Sequence, residues 1–89
     1  MKLVYYWRDN CAPCDRMKPV ALRIAEQAGL GLTFVNAVEN MEEAARHQVR
    51  SVPTLVIADG AGERVAGWSG NMINESSVLT RVALIREKE

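Results

Sequence analysis

The sequence has no excess of charge of either sign and no long apolar run. Eleven basic and eleven acidic residues give a net charge of zero, and no block of one sign interrupts the chain. Charge therefore gives no indication of a nucleic-acid or membrane surface. No apolar run approaches the ~20 residues of a membrane helix, and the aromatic stretch after Met1-Lys2 is too short for a signal peptide. We expect a cytoplasmic monomer with no nucleic-acid or membrane partner.

Cysteine and histidine are scarce, with two cysteines and one histidine in the chain. A tetrahedral zinc site normally takes four ligands, and His47 has no metal-like spacing to Cys11 and Cys14, so we expect neither metal nor cofactor within one chain. A structural disulfide would close a two-residue loop and constrain the unfolded chain very little. A pair of buried small hydrophobes is a further alternative. In a reducing cytosol, however, a CxxC pair is more often catalytic.

The residues around the two cysteines predict a strand followed by a helix. The apolar run Leu3–Trp7 predicts a buried strand, and apolar residues at helical spacing predict an amphipathic helix from about Cys11 to Ala28. Pro13 fits the first helical turn, where an amide hydrogen is not needed. Cys11 then lies at the helix N-terminus, which favours a thiolate and lowers the thiol pKa from its ordinary ~8.5. Cys14, one turn deeper and shielded by its own helix, is expected to be the resolving thiol.

The remaining chain predicts three more strands and two more helices. The second strand follows a long helical connection, so we expect it to lie parallel to the first. The order β-α-β-α-β-β-α predicts one α/β domain over residues 1–89, with a four-stranded mixed sheet flanked by three helices. The predicted segments are Leu32–Val38 (strand), Asn40–Gln48 (helix), Thr54–Ala58 and Glu63–Trp68 (hairpin), and a last helix capped by Asn74 or Ser76.

The second helix carries a possible capping box and the single histidine. Asn40 is a good N-cap residue, and Glu43 stands three positions later. His47 falls in the last turn, where we expect it to be solvated and to interact with the helix dipole rather than to act in catalysis. The residues expected to face inward are Met41, Ala44 and Ala45.

These motifs together resemble the thioredoxin family. The stretch from Trp7 to Cys14 is similar to that family's Trp-x-x-Trp-Cys-Gly-Pro-Cys, and Pro19 matches the proline that kinks its active-site helix. Val49–Leu55 is similar to the segment that holds the family's cis-proline, and Gly70 matches the glycine after the last strand. The resemblance spans almost the whole chain but lacks the N-terminal strand and helix of full-length thioredoxins. It implies a minimal thioredoxin-like fold, nearer in size to glutaredoxins.

The resemblance implies a thiol–disulfide oxidoreductase that reduces protein disulfides through a redox-active Cys11–Cys14 pair. Cys11 would be the nucleophile and Cys14 the resolving cysteine. Pro53, in a cis peptide bond, would lie against the sulfurs, and the Val52 backbone would pair with an extended substrate segment. The implied partners are protein disulfides, with ribonucleotide reductase as one client, and a separate NADPH-dependent reductase. The residues implied to bind substrate are Trp7, Val52, Pro53 and Gly70.

The chain departs from the family pattern at several positions near the cysteines. Tyr5 stands where family members often carry a buried aspartate, and the lysine usual on the next strand, around Val35, is absent. That pair is thought to assist proton transfer to the resolving thiol, so its loss bears on the rate and the route of deprotonation but not on the exchange chemistry. Asn10 replaces the second tryptophan. Asp9 and Asp15 place negative charge beside the motif, which opposes thiolate formation, and the nearby Arg8 and Arg16 oppose that effect.

Two alternative functions remain from the sequence. A glutathione-dependent, glutaredoxin-like enzyme is less favoured, because that pattern has Gly-Gly and an acidic residue after the last strand. This chain reads Gly67-Trp68-Ser69-Gly70-Asn71, with no acidic residue before Glu75. A redox module in which two chains share a zinc or iron–sulfur centre through four cysteines is the other alternative.

Overall fold

A computed structural model describes residues 1–89 as one mixed β-sheet with helices on both faces. The strand order is β2-β1-β3-β4, with β1 and β2 parallel and the other two pairs antiparallel. The predicted order of elements and the four-stranded mixed sheet are confirmed. The elements are β1 (Lys2–Trp7), α1 (Ala12–Ala28), β2 (Leu32–Asn36), α2 (Met41–Arg46), β3 (Thr54–Ala58), β4 (Arg64–Ser69), a 3₁₀ turn (Gly70–Met72) and α3 (Glu75–Glu87).

The two faces of the sheet bury two separate apolar clusters. Successive residues of a strand point to opposite faces, so Leu3 and Tyr5 of β1 pack beneath α1 and α3, while Val4 and Tyr6 pack on the side of α2. β3 lies between β1 and β4 and is buried along its whole length, as expected for a strand covered on both faces. β4 is an edge strand, as predicted, and β2 forms the other edge. β1 is hydrogen-bonded to a strand on each side, and the segment that carries Cys11 follows its carboxyl end.

β2 ends two residues earlier than predicted. The side-chain oxygen of Asn36 accepts hydrogen bonds from the backbone N–H groups of Val38 and Glu39, at 3.0 and 3.2 Å. This local turn competes with strand pairing, which is a common effect of asparagine. The prediction of a strand to Val38 is therefore wrong at its end.

The predicted capping box and inward face of α2 are also wrong. Asn40 is the N-cap residue, but its side chain makes no capping bond and instead donates to the carbonyl of Asn36 at 3.0 Å. Met41 is 69% exposed and Ala45 is exposed, so Ala44 alone of the three predicted residues is buried. The helix is six residues long and lies against the sheet over one narrow stripe.

His47 is buried rather than solvated, with only 2% of its surface exposed. Its Nε2 lies 2.8 Å from the carbonyl oxygen of Gly62, and its Nδ1 lies 2.7 Å from the hydroxyl of Tyr6. A carbonyl only accepts, so the Nε2–H group of His47 donates to Gly62. A ring that carries its proton on Nε2 alone leaves Nδ1 to accept from the Tyr6 hydroxyl. The histidine thus joins α2 to β1 and to the β3–β4 turn. No helix of the structure combines the length and apolar character needed to cross a membrane.

Candidate active site

The two cysteines lie at the junction between β1 and α1. Asn10 has a positive φ of 54°, which turns the chain from the strand into the helix. Cys11 is the N-cap residue with extended backbone, and α1 begins at Ala12 with Pro13 in its first turn. These positions agree with the predicted start of the helix. α1 then continues through Pro19 to Ala28.

Cys11 and Cys14 form a disulfide with a Cα–Cα distance of 5.2 Å. The backbone N–H of Cys14 donates to Cys11 Sγ at 3.2 Å, so the first cysteine caps the helix through its sulfur. A hydrogen bond to the charged form of a group favours that form. The helix dipole acts in the same direction at this position. The site therefore favours negative charge on Cys11 Sγ over Cys14 Sγ.

Exposure does not distinguish the two cysteines in this oxidised state. Cys11 is 4% exposed and Cys14 is 3% exposed. Cys14 is shielded as the sequence indicated, but Cys11 is equally covered while the disulfide is closed. The difference between the sulfurs is one of hydrogen bonding and of position relative to the helix end.

The Val52–Pro53 peptide bond is cis, as the family resemblance implied. Pro53 is buried, and its carbonyl accepts a hydrogen bond from the backbone N–H of Gly70 at 2.9 Å. Gly70 has a φ of 55°, a conformation that side-chain-bearing residues adopt with strain. The structure therefore brings two of the predicted substrate-binding residues, Pro53 and Gly70, into direct contact.

Trp7 and Val52 line different concave surfaces. Val52 borders an open groove of about 560 Å³ that also includes Arg8, Arg50 and the largely exposed Val38 and Met41. Trp7 borders a cavity of about 290 Å³ that reaches Cys14. Trp7 and Val52 thus border different surfaces, whereas Pro53 and Gly70 are joined by a backbone hydrogen bond.

Tyr5 lies against the backbone of Cys14. Its hydroxyl donates to the carbonyl oxygen of Cys14 at 2.7 Å, and burial together with the nearby charge of Asp15 raises the pKa of Tyr5 to about 12. The strand register places Phe34, rather than Val35, beside Tyr5, and their rings meet edge to face. Lys18 of α1 lies over the Phe34 ring, 5.2 Å from its centroid.

The sequence did not predict this arrangement, although two local patterns are consistent with it. The alternation of β1 places Tyr5 and Trp7 on the face that α1 covers. Asp15 and Lys18 are three residues apart in α1, so they lie on the same side of the helix. Only the tertiary structure shows that the side of α1 carrying Asp15 and Lys18 lies near Phe34 of β2.

Comparison with known proteins gives consistent results at the level of sequence and structure. Residues 1–82 match the family model described as Thioredoxin. The thioredoxin of Pyropia yezoensis is 40% identical over 65 residues, which cover 71% of this chain and 60% of that protein. The thioredoxin of Mycobacterium bovis is 34% identical over 89 residues, covering 96% of this chain and 68% of that protein.

A solved structure extends the likeness over nearly the whole of both chains. Thioredoxin 1 from Thermosipho africanus superposes with a TM-score of 0.79 at 26% identity, covering 98% of this chain and 96% of that one. Against several of the curated relatives it matches, the chain spans about 60% of their length. Since the family model covers all elements from β1 into α3, the chain belongs to the thioredoxin family.

Proposed function

We propose that this protein is a cytosolic thiol–disulfide oxidoreductase that reduces protein disulfides by dithiol exchange. The observation that carries the proposal is the position of Cys11 Sγ at the N-cap of α1, where it accepts the N–H of Cys14. An ordinary thiol with a pKa of about 8.5 is only about 3% ionised at neutral pH, so this stabilisation of the thiolate raises the reactive fraction.

The proposed reaction proceeds in two steps. In the reduced protein, the Cys11 thiolate attacks one sulfur of a substrate disulfide, forming a mixed disulfide and releasing the other substrate sulfur as a thiolate. Cys14 then loses its proton and attacks Cys11 Sγ. This forms the Cys11–Cys14 disulfide, breaks the mixed disulfide and releases the second substrate sulfur as a thiolate. The protein is oxidised by two electrons, and the substrate disulfide is reduced to two thiols.

Substrate binding is proposed to use the backbone beside Pro53. An extended peptide that pairs with the main chain at Val52 gains hydrogen bonds with little demand on its sequence. The Gly70 N–H group donates a hydrogen bond to the Pro53 carbonyl, which links this segment to the end of β4. The open groove next to Val52 gives room for a substrate segment on that side. Trp7 is proposed to border the site from the opposite side.

The proposed cycle requires a second enzyme to reduce the Cys11–Cys14 disulfide. We propose an NADPH-dependent disulfide reductase for this role and ribonucleotide reductase as one client, by family analogy. The protein is proposed to act as a monomer without a cofactor of its own, since the chemistry needs only the two sulfurs.

Reduction of insulin disulfides tests the proposed activity. With NADPH and thioredoxin reductase, the wild-type protein is expected to accelerate insulin reduction well above the rate of the Cys11→Ser variant. Replacing that reductant with glutathione and glutathione reductase is expected to lower the rate. A wild-type rate equal to that of Cys11→Ser would refute the proposed activity. Faster turnover with glutathione would instead support a glutaredoxin-like enzyme.

A further inference from the structure

Cys14 needs a route by which its proton can leave. The thiol must ionise before it can attack the mixed disulfide. Its side chain is only 3% exposed, and burial disfavours the charged form of a thiol. Because the helix end and the backbone N–H act on Cys11, they do not assist Cys14. The second step of the exchange therefore depends on a nearby group that takes the proton.

A cavity between α1 and β2 reaches Cys14. Its volume is about 290 Å³, and a water molecule in the liquid occupies about 30 Å³, so the cavity has room for several waters. Water in such a space can carry a proton between groups that do not touch. The cavity is lined by Tyr5, Trp7, Cys14, Asp15, Lys18 and Phe34.

Only one of these side chains is suited to accept a proton. Trp7 and Phe34 have no acceptor atom, and Lys18 as an ammonium group has three donors and no acceptor. The hydroxyl of Tyr5 donates to the Cys14 carbonyl at 2.7 Å, and its pKa of about 12 keeps it protonated. An ionised carboxylate, in contrast, accepts at both oxygens. Asp15 therefore remains as the acceptor that lines this cavity.

We propose that the Asp15 carboxylate accepts the proton of Cys14, through water in this cavity, as Cys14 attacks the mixed disulfide. The S–H bond of Cys14 breaks, its electron pair forms the bond to Cys11 Sγ, and the pair of the broken disulfide leaves on the substrate sulfur. The proton passes from Asp15 to solvent, and the substrate thiolate is protonated from solvent. This inference rests on the proposed dithiol exchange and adds the residue that serves its second step.

The surroundings of Asp15 support this role. Its charge acts on Tyr5 across the cavity, since it is one cause of the raised pKa of that hydroxyl. Asp15 is exposed to solvent, so an accepted proton can pass to solvent rather than being stored. Lys18 lines the same cavity and brings a basic side chain to it. The titratable side chains that line this cavity with Cys14 are thus Tyr5 from β1 and Asp15 and Lys18 from α1, whereas β2 contributes Phe34.

The test is a single-turnover reaction of the reduced protein with an uncharged dipyridyl disulfide. Each step releases one chromophoric thiopyridone, so the first release reports attack by Cys11 and the second reports attack by Cys14. General-base catalysis contributes on the order of 10²–10⁴-fold in direct contact, and we expect the Asp15→Asn variant to lose about tenfold in the second rate because water intervenes. The first rate is expected to change less than about twofold. The defect should shrink as the pH rises, because solution base then deprotonates Cys14.

Asp9→Asn is the matched control. It removes the same charge from the active-site segment, but Asp9 is exposed and does not line the cavity. We expect it to leave the second rate and its pH profile unchanged, and we expect Asp15→Glu to restore part of the rate. Equal second rates in Asp15→Asn and wild type across pH, or equal slowing by both asparagine variants, would overturn the role of Asp15. If the wild type showed no second release, the proposed dithiol exchange itself would be refuted, and this inference with it.

Discussion

The two cysteines of the active site make different hydrogen bonds. Cys11 Sγ accepts the N–H of Cys14, whereas the Cys14 carbonyl accepts the hydroxyl of Tyr5. The first bond favours negative charge on Cys11 Sγ. The second bond holds the backbone of Cys14 and does not contact Cys14 Sγ. The cysteines therefore differ in their hydrogen bonds although both are almost fully covered when oxidised.

Serine variants of the two cysteines are expected to behave differently toward substrates. Cys14→Ser retains the nucleophile but cannot resolve the mixed disulfide, so it is expected to accumulate covalent complexes with protein substrates. Cys11→Ser leaves only the thiol that lacks the stabilising N–H, so few complexes are expected. Non-reducing electrophoresis and mass spectrometry after incubation with oxidised insulin measure both. Equal trapping by the two variants would contradict the assignment of Cys11 as the nucleophile.

At the scale of elements, α1 depends on local signals at both of its ends. Its C-terminus is closed by Gly29 at a φ of 66°, with the N–H of Leu30 donating to the Ala25 carbonyl at 3.1 Å. This is the left-handed glycine cap found at the end of many helices. Gly31, two residues later, has no such φ and has open space around the position of a Cβ. A glycine is therefore needed for the helix cap at position 29 but not for the backbone conformation at position 31.

Gly29→Ala is expected to destabilise the protein by about 1 kcal/mol, because a side chain disfavours the left-handed conformation by ~1–2 kcal/mol. Gly31→Ala is the matched control and is expected to change stability by less than about 0.5 kcal/mol, since it meets no atom and no positive φ. Urea unfolding of the oxidised variants measures both. If Gly31→Ala were the more damaging substitution, the assignment of the helix cap to Gly29 would be incorrect.

At the scale of the whole molecule, β1 links the two apolar clusters through adjacent tyrosines. Tyr5 faces the α1 and α3 side, and Tyr6 faces the α2 side, where it bonds His47. Burial raises the pKa of each hydroxyl from 10.0 to about 12, with Asp15 adding to the effect at Tyr5 and Glu43 at Tyr6. The neutral phenol is thus favoured on both sides of the central strand in the folded protein.

These shifts predict that stability falls in alkaline solution. The unfolded tyrosines lose their protons near pH 10, whereas the folded ones hold them to about pH 12. A raised folded-state pKa contributes stability that is complete below pH 10 and is lost as the pH approaches 12. Urea midpoints of the oxidised protein across this interval measure the loss.

Tyr5→Phe is the control for the alkaline transition. It keeps the buried ring but removes both the titrating hydroxyl and its bond to the Cys14 carbonyl, so we expect about 1 kcal/mol lower stability at neutral pH. Above pH 10, its stability is expected to fall less steeply than that of the wild type. Parallel pH profiles for variant and wild type would contradict the raised pKa of Tyr5.

The sequence by itself determined the order of the elements, the parallel pairing of β1 and β2, and the position of Cys11 at the start of α1. Those features depend on signals that act over a few residues, such as the side-chain period, the turn residues and the caps. The span Thr54–Ala58 of β3 was predicted correctly for the same reason, because a continuous apolar run lies between a proline and a glycine-rich turn.

The tertiary structure alone decided where isolated polar residues lie. His47 is hydrogen-bonded to Tyr6 and Gly62, which are 41 and 15 residues away in the sequence. Its burial therefore depends on other parts of the chain and not on its position at the end of α2. The cavity beside Cys14 likewise combines residues of β1, α1 and β2, and no spacing within one element specifies that combination. Periodicity tells which residues of a segment share a face, but packing between segments decides what that face meets.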